Sequence, residues 1–145
     1  MGGGVPLPEG FGGTLDGDER VLASVPVAGG GHLVVTTLGL WPPTGPDEDA
    51  RRVGWHLVSK ATWDGRALTV IEADEVGSDG DAVVIADRPP QRFPLPEPEQ
   101  VPELVHARVT RSVLHSQRDA EGNLVVHRRV PGRDGVQMQI RRTTS

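Results

Sequence analysis

Apolar and polar positions alternate most clearly over residues 53–59, where Val53, Trp55 and Leu57 share one side of an extended chain and His56 and Val58 share the other. A second run, from Arg66 to about Asp74, turns back across Asp64-Gly65 and offers Leu68 and Val70 to the first face. A two-residue hairpin turn needs positive φ, which Asp and Gly both tolerate, so this stretch predicts a β-hairpin with a tryptophan on each side of the bend. Trp55 is expected in the core, and Trp63 packs beside the turn.

The same reading predicts five strands before the proline-rich stretch. Arg20–Val27 is the first, and His32–Trp41 follows through the triplet Gly29-Gly30-Gly31. Pro42-Pro43 ends that strand, because proline cannot donate to a ladder. A polar loop, Thr44–Ala50, leads into Arg52–Ser59, then Arg66–Asp74. Ala82–Ala86 is short and almost wholly apolar, as a central strand would be. Residues 89–102 hold six prolines, which predicts a semi-rigid polyproline strap with Phe93 and Leu95 pinned to the body.

Pro102 suits the first turn of a helix, where its missing N–H is not needed. Val101, Val105 and Val109 recur at a spacing of four beside Leu104, so a helix is expected near 101–111. Beyond it, Ser112–Arg118, Asn123–Val130 and Val136–Arg142 form a three-strand meander. In the last strand Val136, Met138 and Ile140 are expected inward and Gln137, Gln139 and Arg141 outward. Residues 1–17 carry seven glycines and few branched apolar side chains, the composition of a flexible tail. The expected fold class is α+β, mainly antiparallel β. One domain spans 18–145, as a small barrel or two curved sheets with a single helix.

The runs "ERVLASVPV…GHLVVTTLGLW" and "RRVGWHLVSKATWDGRALTV" resemble the opening strands of bacterial pleckstrin-homology-like and GRAM-like domains. The second half, "LPEPEQVPELVHARVTRSVLHS…LVVHRRVPGRDGVQMQI", is similar to small actinobacterial proteins with the same front end. The resemblance covers about residues 19–142 and implies a non-enzymatic binding or scaffolding module with no catalytic set. A pleckstrin-homology domain closes with a C-terminal helix after seven strands, whereas the helix here precedes the last three.

Composition narrows the chemistry. Cysteine is absent, which removes disulfides, thiolate nucleophiles and cysteine metal sites. No window approaches the roughly 20 apolar residues that span a bilayer, and the opening residues lack a secretory pattern, so a cytoplasmic location is expected. Residues 1–99 carry 16 acidic and 7 basic groups, net −9, while residues 100–145 carry 4 acidic and 8 basic groups, net +4. A basic third on an acidic chain suits an anionic partner, or internal pairing of the two parts.

Known reaction signatures are missing. There is no phosphate-binding Gly-x-x-x-x-Gly-Lys loop, no Gly-x-Gly-x-x-Gly and no Gly-x-Ser-x-Gly elbow. His115 and His127 face each other across the proposed meander, but catalytic zinc usually takes three protein ligands, so no metal and no cofactor is expected. The acidic groups at 47–49, 74–75, 79 and 81 read as solvated loop charge. The arginines remain. Arg129 and Arg141 are expected to share the outer face of the last hairpin with His127, and Arg108 and Arg111, with Arg133 and Arg142, extend it. Arginine forks bind phosphate or carboxylate through paired hydrogen bonds. No aromatic residue follows Phe93 to stack bases, which disfavours nucleic acid. The reading is a binding module for a protein partner. The alternative is recognition of an anionic ligand, a phospholipid headgroup at a membrane surface or nucleic acid, by those C-terminal arginines.

Overall fold

The computed structural model describes residues 7–8, 11–44, 49–132 and 135–142. The strands are β1 (Val21–Pro26), β2 (His32–Thr36), β3 (Gly39–Trp41), β4 (Val53–Gly54), β5 (Val58–Trp63), β6 (Ala67–Asp79), β7 (Ala82–Asp87), β8 (Gln91–Pro94), β9 (Val113–Arg118), β10 (Leu124–Arg129) and β11 (Val136–Arg141). The single α-helix among the described residues, α1, spans Val101–Ser112, between β8 and the last three strands. One sheet runs β1-β2-β3-β4. The second runs β5-β6-β7-β11-β10-β9, with β8 also on β6, and curls into a half-barrel. The α+β class with two curved sheets is the observed one.

Two expected strands are broken. The run 32–41 folds into the β2–β3 hairpin, with Val34 opposite Trp41 and Val35 opposite Leu40. Thr36 makes the bend, because its Oγ1 accepts the N–H groups of Leu38 and Gly39 at 3.1 Å each. This side-chain oxygen stands in for a ladder partner, so the backbone can leave the strand. The run 52–59 stops at Gly54 and passes through a 3-10 turn, Trp55–Leu57, before β5 begins. Val53, Trp55 and Leu57 therefore do not form one strand face. Trp55 is nonetheless in the core, 2% exposed, and its Nε1–H donates to Thr36 O at 3.1 Å.

The β5–β6 hairpin is as expected, but its turn centres on Gly65 and Arg66, closed by Asp64 N–H donating to Ala67 O at 3.3 Å. Gly65 alone takes the positive φ, +97°. Asp64 contributes through its side chain, whose Oδ1 accepts the N–H groups of Ala67 and Arg66. Those two bonds, with Arg92, hold the carboxyl down at about 2. β6 runs on to Asp79 and bends, pairing β5 and β8 with its first half and β7 with its second. Asp74, Glu75 and Asp79 thus lie on a strand and not in loops. The strap is likewise not all polyproline, since Gln91–Pro94 joins β6 as β8.

The main core lies between the sheets and α1. It joins Leu33, Leu40, Trp55, Leu68, Phe93, Leu95, Val101 and Val105 among others. Val101 and Val105 are fully buried, as their helical spacing predicts. A second cluster of Val21, Val34 and Trp41 covers the other face of the first sheet. Phe11 packs edge-to-face on Trp41 at 5.2 Å and Leu15 joins the same cluster. The tail expected over 1–17 is thus anchored from Phe11, and its residues 1–6, 9 and 10 lie outside the described residues.

Beneath that cluster is a buried carboxylate that sequence reading passed over. The Glu19 side chain is 0% exposed. Its Oε2 accepts Thr36 Oγ1–H at 2.5 Å and Trp41 Nε1–H at 3.0 Å, and its Oε1 accepts Arg52 Nη1–H at 2.8 Å and Asp16 N–H at 3.0 Å. Desolvation pushes its pKa up, but the Thr36, Trp41 and Asp16 donors and the Arg52 charge outweigh it, leaving the pKa below the ordinary 4.5. A depressed native pKa means the stabilisation is complete above pH 4.5 and is lost as pH falls through the native value. Glu19→Gln should lower stability at neutral pH by about 2–3 kcal/mol, since it removes the charge and turns one acceptor into a donor facing donors. The variant's stability should also vary less with pH below 4.5 than the parent's, checked by urea titrations across that range. Parallel curves would show that Glu19 is not the acid-sensitive group.

Candidate functional site: an arginine-lined cleft

Arg108 and Arg111 stand three residues apart, on one side of the last turns of α1. Arg129 ends β10, which lies beside β9, the strand that leaves the helix. The three side chains line one cleft of about 400 Å³, with Thr37, Trp55, Ser112 and the 130–132 loop completing it. Gly132 closes the floor with φ +77°, and a Cβ there would stand 2.9 Å from Leu38 Cδ2. Both the conformation and the close approach require glycine. None of the three arginines has a hydrogen bond or ion pair with a side chain among the described residues, although the chain as a whole carries −5.

Behind the cleft sits Arg128, which the sequence reading had not singled out. It is 4% exposed. Its Nη1–H donates to Val58 O at 2.9 Å, its Nη2–H to Trp55 O at 2.9 Å and its Nε–H to Ser112 Oγ at 3.0 Å; Nη2 also contacts Ser112 Oγ closely and Val109 O at 3.5 Å. No carboxylate among the described residues neutralises it. Burial, with a smaller push from the Arg141 charge, lowers its pKa to about 10, so it remains cationic at neutral pH. Its counter-charge is the carbonyl end of α1 and the 3-10 turn.

The expected outer face therefore divides. In the β10–β11 register His127 lies opposite Met138 and Arg129 opposite Val136, whereas Arg141 lies opposite Leu124. Side chains alternate across a strand, so Arg141 points to the other face from Arg129 and His127. There its Nη1–H donates to Asp87 Oδ2 at 2.5 Å and its Nη2–H to Ser59 Oγ at 3.0 Å. Gln139, on that same side, is 1% exposed and donates to His56 O at 2.7 Å, so it faces inward and not outward. Val136, expected inward, is exposed.

His127 shares a face with Arg129 but does not line the cleft. It meets His115 with ring centroids 5.9 Å apart. Among the described residues no three metal-ligating side chains gather. Arg142 pairs with Asp79 at 3.1 Å, and Arg133 lies outside the described residues. The structure thus brings together Arg108, Arg111 and Arg129, and separates His127 and Arg141 from them.

What these elements define is a strand-rich α+β domain that carries a basic cleft beside α1. No family model, curated protein or solved structure matches the chain. Among the described residues no helix is long and apolar enough to cross a membrane.

Proposed function

We propose that this protein is a non-enzymatic binding module that engages a protein partner by taking an anionic group of that partner, a carboxylate or phosphate, into the arginine cleft. The observation that carries the reading is the convergence of Arg108, Arg111 and Arg129 on one concave site with no acidic partner among the described residues. A cleft lined by one sign of charge concentrates counter-ions, and guanidinium groups offer paired donors to oxyanions. The pleckstrin-homology-like resemblance of the front end agrees with a binding role.

Citrate and pyrophosphate are suitable probes. Either should shift the Nε–H signals of the three arginines and bind less tightly as salt rises. Each of Arg111→Ala and Arg129→Ala should weaken binding roughly tenfold or more, the worth of one charged hydrogen bond. Arg141→Ala should leave binding unchanged, because that side chain faces the other way. Equal loss from all three variants would indicate a diffuse charge effect and sink the cleft. Vesicles of anionic lipid and a short DNA duplex serve as comparison ligands. Tighter binding to either would transfer the function to that class. Turnover of a phosphoester that depended on one cleft side chain would overturn the non-enzymatic assignment.

A further inference from the structure

We infer that β9 is the seat for an extended, acidic strand of the partner, which adds to the half-barrel sheet at its free edge and leads its anionic end into the arginine cleft. The inference rests on the cleft reading and extends it to the form of the partner. β9 pairs β10 along one side and is the last strand of its sheet, with no strand on the other side among the described residues. All six of its residues are exposed, including Val113 at 41% and Leu114 at 45%.

Open edges of this kind are usually blunted by lysine, proline or an inward charge. The sequence Val-Leu-His-Ser-Gln-Arg contains no lysine or proline, its one formal charge, Arg118, stands at the far end, and its one irregularity is a bulge at Leu114, between the residues that pair His127 and Arg128. β5, at the opposite end of the sheet, packs against α1. Among the described residues no strand covers the outer edge of β9.

Position joins this edge to the cleft. Ser112, which lines the cleft, is followed directly by β9, and Val113 pairs with Arg128, the neighbour of Arg129. A strand laid along β9 therefore runs at its Val113 end toward Arg108, Arg111 and Arg129. Its backbone would supply the ladder bonds and its charge the selectivity.

The charge also argues against a second copy as occupant. Antiparallel self-pairing would set Arg118 of one copy beside the Val113 end of the other, adding positive charge to three arginines. Gathering charges of one sign at one site raises their mutual repulsion. An acidic strand is complementary.

The test uses the full chain, hydrogen exchange of the β9 amides, and a synthetic peptide of alternating Thr and Val with glutamates at one end. Two control peptides carry lysine in place of glutamate, or N-methyl groups on alternate backbone nitrogens. Expected is slower exchange across β9 by roughly tenfold or more with the acidic peptide, abolished by N-methylation and reduced in Arg129→Ala. Citrate binding is measured beside it. If citrate binds the cleft and β9 exchange does not change, the strand inference falls and the cleft reading stands. If neither ligand binds, both fall. Equal protection by the lysine peptide would overturn the charge selectivity, and protection that grows with protein concentration alone would assign the edge to a second copy.

Discussion

Trp55→Ala should destabilise the protein by about 3–5 kcal/mol, the range for emptying a buried tryptophan site. The indole is 2% exposed and packs among the largest cluster of core residues. Its removal opens a cavity where the first sheet, α1 and the half-barrel meet, a place that cannot collapse without moving all three. It also deprives Thr36 O of its indole donor, at the bend that separates β2 from β3. In equilibrium urea unfolding the midpoint should fall sharply with little change in slope. Trp55→Phe, which keeps most of the volume and loses the N–H, should cost about 1–2 kcal/mol. A loss below about 1 kcal/mol for Trp55→Ala would mean that the site is not a packed core position.

Arg128→Met should cost about 2–4 kcal/mol and should also weaken anion binding in the cleft. The two sides of the comparison oppose each other. Methionine relieves the burial of a charge, which favours the variant. Yet its carbonyl and hydroxyl partners on the 3-10 turn, β5 and the end of α1 remain, and methionine offers them no donor. Hydrogen bonds to charged groups are worth about 1.5–3 kcal/mol each, and Arg128 makes several. The loss therefore exceeds the relief. Because Ser112 both lines the cleft and accepts from Arg128, the end of α1 should loosen and Arg108 and Arg111 should lose their shared direction. Citrate affinity should fall in Arg128→Met even at temperatures where the variant is fully folded. Unchanged affinity in a folded variant would separate the buried arginine from the cleft.

Particular residues show what could be read in advance. The β5–β6 hairpin, the helix beginning at Val101-Pro102 and the β9–β10–β11 meander were all legible, because each depends on contacts between residues close in the chain. The breaks at Thr36 and Trp55 were not. Both fall inside runs rich in apolar and β-branched residues, and the single glycines beside them, Gly39 and Gly54, are residues that a strand can also hold. They depend on a side-chain oxygen at Thr36 and on the core that receives Trp55.

The candidate site divides in the same way. Arg108 and Arg111 share a helix face by their spacing alone, so their pairing was readable. That Arg129 joins them, that Arg141 turns instead to Asp87 and Ser59, and that Arg128 is buried follow from how the sheet curls. A period of two separates the residues of a strand into two sets but does not say which set faces inward.

The sequence by itself determined where the β1–β2, β5–β6 and β9–β10 hairpins turn, where the helix begins and that the chain is rich in antiparallel strands, since local sterics and short-range pairing decide these. Only the tertiary structure decided that β7 and β11 lie parallel, with Gln139 beside Val83 and Ile140 beside Val84. It also decided which arginines are consumed by internal partners and which three are left at one cleft. Those outcomes depend on residues tens of positions apart meeting in space, and the local pattern holds no record of such meetings.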